Sequence, residues 1–148
     1  MTAQRARKLT YADFAAFPDD LIRREIIDGK VLVTPAANIR HQLIVGRIAV
    51  ALFDHVRREG GGLVLFAPVD VLLSEHDIVE PDVLFIADDR ADIITEPNIK
   101  GAPTLCVEVV SNPTTDRVRK HALYERAGVP NYWIADPRRD IVDVFRLN

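Results

Sequence analysis

Two carboxylates lie in stretches of sequence that otherwise predict buried strands. Glu108 stands in the apolar run TLCVEVV, and Asp82 opens the run DVLFIA directly after Pro81. A carboxylate in an apolar strand is costly unless a cation or a network of hydrogen bonds meets it. We therefore expect positive charge opposite both residues.

The alternation of side chains along a strand predicts which residues share a face with each carboxylate. It places Asp82 with Leu84, and Cys106 with Glu108. If the two strands are neighbours and these faces coincide, the carboxylates converge, and like charges at close range force one to take up a proton. A divalent cation removes this conflict, and Mg²⁺ or Mn²⁺ suits a site of carboxylates, a carbonyl and waters. The alternative is that Glu108 pairs with a lysine or arginine inside the sheet.

A third candidate, Lys120, follows in the segment TTDRVRKHALYERAG. Asp116, Lys120 and Tyr124 are four residues apart, so they form one stripe on a helix directly after the Glu108 strand. A lysine facing the carboxylates could stabilise negative charge on a phosphorane or orient an attacking water. The alternative is an exposed Asp-to-Lys helix pair, worth roughly 0.3 to 0.5 kcal/mol and without function.

The N-terminal half predicts a helix, a hairpin and a long helix. Thr10 can cap a short helix over residues 11–17. A hairpin over residues 23–34 turns at Asp28-Gly29, a pair suited to the positive φ angles of a tight turn. Asn38 begins the long helix, which the glycines from residue 60 end. Apolar residues recur along it at helical spacing: Ile39, Leu43, Ile44, Ile48, Leu52 and Val56.

The C-terminal half predicts a sheet with a central buried strand. The runs LVLFA, VDVLL and PDVLFIA indicate a meander, in which SEHDIVE connects the last two. A polar loop over residues 88–103 leads into TLCVEVV, whose apolar character suggests a central strand covered on both sides. A helix over residues 113–128 and the strands NYWIAD and DIVDVFRL follow. The prediction is an α/β fold.

Size and composition indicate one globular domain over residues 1–148. Hydrophobic residues make up 48% of the 148 residues and charged residues 28%. The net charge of −3 argues against bulk attraction to nucleic acid, so any such contact must be local. Cys106 is the single cysteine, so no intrachain disulfide is possible, and a buried role is expected for it. No apolar run predicts a membrane span or a secretory signal, and we expect a cytoplasmic protein.

The ordered set of these motifs resembles a known family. PD, then a strand carrying E, then D-x-x-x-K-x-x-x-Y and the ending GVPNYWIADP are similar to the Uma-two family of restriction-endonuclease-like proteins, in the PD-(D/E)XK nuclease superfamily. The similarity runs from LTYADFAAFP through REIIDGKVLVTP and His41 to the C-terminal strands. It implies a restriction-endonuclease-like core, in which helices flank a mixed central sheet, with an N-terminal helix and hairpin.

The resemblance also implies roles for individual residues. Asp82 and Glu108 would ligate the metal, Lys120 would be the catalytic lysine, and Glu25 matches an acidic residue that some relatives bring towards the metal. Tyr124 and Asp116 match the family pattern, and orienting Lys120 is their expected task. His41 is either a site residue or a structural residue at a helix N-terminus.

Three features depart from the pattern of the superfamily or of the family. The superfamily expects a lysine two residues after the glutamate, where this chain has Val110, so the lysine is expected to have moved to Lys120. The loop Ser111-Asn112-Pro113-Thr114 replaces a Ser-Pro-Ser type loop. The chain also stops at Asn148, where relatives continue, which suggests a truncated or degraded member.

The resulting hypothesis is metal-assisted hydrolysis of phosphodiester bonds. The cation would polarise the phosphate and lower the pKa of the attacking water, while Lys120 steadies the charge. The superfamily implies DNA as the substrate. The rival hypotheses are a catalytically inactive nuclease-fold module that binds or forms a homodimer, and a hydrolase of another phosphoester.

Overall fold

The computed structural model describes residues 5–148 of the chain. Its helices are α1 (Tyr11–Ala15), α2 (Ile39–Glu59) and α3 (Lys120–Arg126), with a 3₁₀-helix at Asp88–Ile93 and a π-helix at Thr114–Arg119. Its strands are β1 (Arg23–Ile27), β2 (Lys30–Thr34), β3 (Gly62–Phe66), β4 (Val71–Ser74), β5 (Asp77–Val79), β6 (Val83–Ala87), β7 (Ile99–Lys100), β8 (Leu105–Val109), β9 (Asn131–Asp136) and β10 (Ile141–Arg146). Among the described residues, no helix is both long enough and apolar enough to span a membrane.

The strands form two mixed five-stranded sheets. The first sheet has the order β2-β1-β5-β4-β7, and the second has the order β10-β9-β8-β6-β3. Each sheet contains one parallel pair, β4 with β7 and β8 with β9. The central place of β8 confirms the prediction for TLCVEVV, and all five of its residues are buried. The predicted mixed α/β architecture is therefore confirmed, although the strands divide into two sheets.

The predicted meander is wrong. Strand β3 pairs directly with β6, and β4 belongs to the other sheet. The predicted connection SEHDIVE contains β5, which pairs with β4 in a hairpin closed by the Ser74 hydroxyl donating to Asp77 at 2.6 Å. This short hairpin returns the chain to the second sheet at β6. The loop over residues 88–103 likewise contains the 3₁₀-helix and β7.

Local signals for the hairpin and the long helix are confirmed. Asp28 and Gly29 have φ angles of 51° and 74° at the turn between β1 and β2. Asn38 caps α2, and its side chain accepts a hydrogen bond from the His41 N–H at 2.8 Å. The helix predicted over residues 113–128 begins instead as the π-helix and continues as α3.

The two faces of the second sheet have separate cores. Helix α2 packs Ile48, Ala49 and Leu52 against one face, over Val83 and Val107. Helix α3 and the first sheet cover the other face, where Leu84, Cys106, Leu123, Tyr132 and Ile134 are buried together. The predicted buried role of Cys106 is confirmed by its complete burial.

Candidate active site

Strands β6 and β8 bring the two carboxylates to one place. The strands pair antiparallel with Val83 opposite Val107 and Leu84 opposite Cys106, so the same register sets Asp82 opposite Glu108. Both side chains are buried, and both line a cleft of about 240 Å³. The Val109 N–H donates to Asp82 Oδ2 at 2.7 Å, which holds this carboxylate against the neighbouring strand.

Lys120 lies between two carboxylates. Its ammonium nitrogen is 2.8 Å from Glu108 Oε1 and 2.9 Å from Glu25 Oε1, and its side chain is 3% exposed. An exposed helix pair with Asp116 is therefore excluded. The alternative to a metal ion was that Glu108 pairs with a lysine or arginine inside the sheet. In this structure Glu108 does pair with a lysine, but Lys120 lies on the helix after β8 and not in the sheet.

The other two residues of the stripe have different contacts. The Tyr124 hydroxyl donates to Glu108 Oε1 at 2.8 Å, so it shares this acceptor with Lys120. Asp116 Oδ2 accepts from the N–H groups of Ser111 at 3.0 Å and Asn112 at 3.2 Å. Tyr124 thus positions the carboxylate that holds Lys120, while Asp116 anchors the loop after β8.

Glu25 and His41 complete the set of predicted site residues. Glu25 lies on β1, and its Oε2 accepts from the Glu80 N–H at 2.7 Å, so the first sheet reaches the site through this residue. His41 lies in the first turn of α2 with Nε2 3.4 Å from Asp82 Oδ2. Its Nδ1 atom is buried and has no hydrogen-bond partner among the described residues. Six of the seven predicted residues thus line one cleft, and the seventh, Tyr124, bonds to Glu108.

The sequence analysis missed Arg23. Its Nη1 atom lies 3.1 Å from Asp82 Oδ1, and its Nη2 atom donates to the Glu80 carbonyl oxygen. Arg23 stands two residues before Glu25 on β1, so strand alternation directs both side chains to the same face. Alternation with Glu25 was the signal in the sequence that could have identified Arg23. It identifies Arg23 as a site residue only once β1 is known to lie beside the cleft.

Burial and neighbouring charges shift the pKa values of the cluster in opposite directions. Burial raises the pKa of Glu108 to about 8, although the Lys120 ammonium opposes this shift. Burial alone lowers the pKa of Lys120, but the carboxylates of Glu108 and Glu25 outweigh it and raise the pKa above its usual value. Burial also opposes the ionisation of Asp82, but His41 and Arg23 lower its pKa overall. Lys120 is therefore a fixed positive charge at neutral pH.

The carboxylate oxygens of this cluster are of the kind that bind a hard divalent cation such as Mg²⁺. Mg²⁺ needs only one or two carboxylates, with waters and substrate oxygens completing its shell. Asp82 and Glu108 offer these oxygens at the cleft, and both are now neutralised by side-chain cations. Within residues 5–148, no group of three or more His, Cys, Asp or Glu side chains is arranged to hold a metal ion. In the present side-chain arrangement, a metal ion bound here is therefore coordinated by at most two carboxylates. For Asp82 Oδ1 to bind the ion, the Arg23 side chain must first move away from this oxygen.

The geometry can be compared with known proteins. The family model described as "Uma2: Putative restriction endonuclease" matches residues 11–148. The chain belongs to the Uma2 family. This match confirms the resemblance drawn from the ordered motifs, and membership in this family supports a nuclease function.

A solved structure shows the same fold. It is described as a putative nuclease belonging to DUF820 from Anabaena variabilis ATCC 29413, and it superposes with a TM-score of 0.78 at 19% identity. The match covers 93% of this Uma2 chain and 79% of that chain. No curated protein matches the chain.

Proposed function

We propose that this Uma2 protein is a metal-dependent endonuclease that hydrolyses phosphodiester bonds, with DNA as its substrate. One observation carries the proposal. Asp82, Glu108 and Lys120 come from three separate segments and line one cleft, although burying each charge is costly. Buried charges brought together at an opening to solvent are typical of a functional site rather than of a core.

Each residue has a defined task in this proposal. Asp82 and Glu108 would hold Mg²⁺ or Mn²⁺. Glu25 would hold Lys120, and it would contribute a further oxygen only after its side chain leaves Lys120. The cation supplies Lewis acidity, which polarises the phosphate and eases proton loss from the attacking water. Lys120 remains protonated and stabilises the negative charge that develops on the phosphate oxygens. Tyr124 keeps Glu108 in place, and His41 and Arg23 keep Asp82 ionised.

The charges around the cleft support a phosphate substrate. An adjoining cleft of about 510 Å³ shares Arg23 and His41 with the site, and Arg40 and Arg138 also line it. Asp136 and Asp140 also line this opening, and Arg40 pairs with Asp140. The three arginines provide local contacts for a phosphate backbone on a chain whose net charge is −3, once Arg40 leaves this exposed pair. The family description makes DNA the substrate that we propose. We propose the cytoplasm as the compartment in which it would be cleaved.

The test is Mg²⁺-dependent cleavage of plasmid and oligonucleotide DNA by isosteric variants. Asp82→Asn and Glu108→Gln keep the shape of the cluster and remove one carboxylate each, and we expect cleavage to fall by at least about a hundredfold. Asp77→Asn is the matched control, because Asp77 is also buried and bonded but lies outside the cleft. Full cleavage by Asp82→Asn would refute the assignment.

A second candidate function is a non-catalytic binding module. The observation that favours it is the neutralisation of Asp82 by Arg23 and of Glu108 by Lys120 within the protein itself. Calorimetry with MnCl₂ separates the two candidates. Heat of binding at millimolar Mn²⁺ that disappears in Asp82→Asn supports the nuclease, and absence of binding by the wild-type protein supports the module.

A further inference from the structure

Helix α2 carries an apolar stripe on the side that faces away from its own sheet. Ile39 is 80% exposed, Leu43 54%, Val50 60% and Phe53 42%. The outer face of a helix that lies on a sheet is ordinarily polar. Nothing in the described part of the chain covers these side chains, and contiguous exposed apolar residues mark an interaction surface.

The spacing of the stripe is that of a helix-packing seam. Positions 39, 43, 46, 50 and 53 follow steps of four and three residues, as in the a and d positions of a heptad repeat. Gly46 occupies the middle of the stripe. A Cβ atom added there would meet no atom within 4 Å, so the surface has an open notch at this point. We call residues Ile39, Leu43, Gly46, Val50 and Phe53 the α2 seam.

We propose that the α2 seam binds the same seam of a second copy of this chain, with the two helices antiparallel. In this arrangement Val50 of each copy enters the notch at Gly46 of the other, and Leu43 meets Phe53. A knob and a notch on one stripe make the surface complementary to itself, as a two-fold dimer requires.

Charge along one flank of the seam favours this orientation. Arg40 and Asp54 are two heptads apart and lie at opposite ends of the flank, with side chains that are 58% and 51% exposed. Within one chain Arg40 pairs with Asp140 and Asp54 pairs with Arg57, and such exposed ion pairs are weak enough to exchange for a pair across the dimer. Antiparallel helices bring Arg40 of each copy to Asp54 of the other, whereas parallel helices would set Arg40 beside Arg40. Arg47 lies between these two residues, so the Arg47 side chains of the two copies come near each other. They lie at the solvent-exposed edge, where salt screens the repulsion between them.

The size of the surface predicts a weak dimer. Helix α2 has 21 residues and is about 31 Å long. Phe66 on β3 is 54% exposed, and its ring centroid is 6.2 Å from that of Phe53, so it widens the seam at one end. An interface of this extent is at the small end of specific contacts, and we expect dissociation in the micromolar range.

Sedimentation velocity across a micromolar concentration series tests the proposal. We expect the wild-type protein to shift from monomer to dimer, and Val50→Glu to remain a monomer with unchanged circular dichroism. Val118→Glu is the matched control, because Val118 is 62% exposed and lies away from the seam, and it should dimerise like the wild type. Gly46→Leu should also remain a monomer, since its side chain fills the notch while its Cβ atom meets no atom of its own subunit within 4 Å. A wild-type protein that stays monomeric, or a Val50→Glu variant that dimerises normally, would overturn the proposal.

A charge exchange tests the orientation of the two helices. Arg40→Asp and Asp54→Arg alone should each weaken the dimer by about tenfold, because each places like charges together at both ends. The double variant should restore the wild-type affinity. If it does not, the antiparallel register is wrong. The measurement does not depend on nuclease activity, so its outcome is independent of the function proposed for the cleft.

Discussion

At the end of strands β6 and β8 where Asp82 lies opposite Glu108, the two faces of the sheet differ in chemistry. On one face Asp82 and Glu108 lie within a cluster of buried charges, and on the other Val83 and Val107 pack beneath helix α2. The two faces differ by a single step of strand alternation, and both are buried. They differ in what burial requires, because an apolar side chain gains free energy by leaving water whereas a charge loses it unless a partner is present.

This comparison teaches that the charged face is stable only as a set. Glu25 and Glu108 both depend on Lys120, and Asp82 depends on Arg23 and on the Val109 N–H. The residues on the apolar face contribute more independently, each according to the area that it buries. Removing one member of the charged set should therefore cost more than removing a methyl group from the apolar face.

The largest effect should come from Lys120→Ala. Above pH 8, where Glu108 is ionised, it leaves the carboxylates of Glu25 and Glu108 buried without their shared cation, which typically costs about 3–5 kcal/mol of unfolding free energy. Chemical denaturation measures this loss, and Lys100→Ala is the control, because Lys100 is exposed on β7 and should cost little. Equal stabilities for Lys120→Ala and Lys100→Ala would show that the buried carboxylates do not depend on Lys120.

A smaller effect should come from Val107→Ala on the apolar face. Loss of two buried methyl groups and the small cavity that they leave should cost roughly 2 kcal/mol. The same denaturation experiment measures it. Binding of Mn²⁺ should stay unchanged, because Val107 points away from the cleft. A change in Mn²⁺ affinity comparable to that of Asp82→Asn would mean that the two faces are coupled.

The smallest effect is a dependence of metal affinity on pH. The pKa of Glu108 is raised to about 8, so below that pH its carboxyl group holds a proton that a metal must displace. Between pH 7 and 8 affinity for Mn²⁺ should rise by at most about tenfold, equivalent to about 1.4 kcal/mol, and it should level off above pH 8. Calorimetry at several pH values measures this, and Glu108→Gln should flatten the profile. A wild-type profile that is already flat would contradict the role of Glu108.

Residues within one element were predicted well because their geometry is local. Lys120 and Tyr124 are four residues apart on α3, and both bond to Glu108 as the helical spacing predicts. Asp116 lies in the preceding π-helix and bonds instead to the loop after β8. The Asp28-Gly29 turn and the Asn38 cap follow from conformational preferences and side-chain hydrogen bonds of a few adjacent residues. The family itself was identified from the order of such motifs.

The predictions were wrong where strand pairing or burial depended on segments that are distant in sequence. The meander prediction assumed that strands adjacent in sequence are adjacent in space, whereas β3 pairs with β6 and the β4–β5 hairpin joins the other sheet. The sequence analysis grouped Ile39 and Leu43 with the core residues of α2, yet both are exposed and lie on the α2 seam, which faces away from the sheet.

The amino-acid sequence by itself determined which chemical groups this protein has, the local turns and caps, and the spacing of the stripe that holds Lys120. The tertiary structure decided which of these groups meet. Arg23 and Glu25 reach Asp82 and Lys120 only because β1 of the first sheet packs beside β6 and β8 of the second. Strand pairing and sheet packing depend on the total area and charge buried between distant segments, and no short stretch of sequence contains that balance.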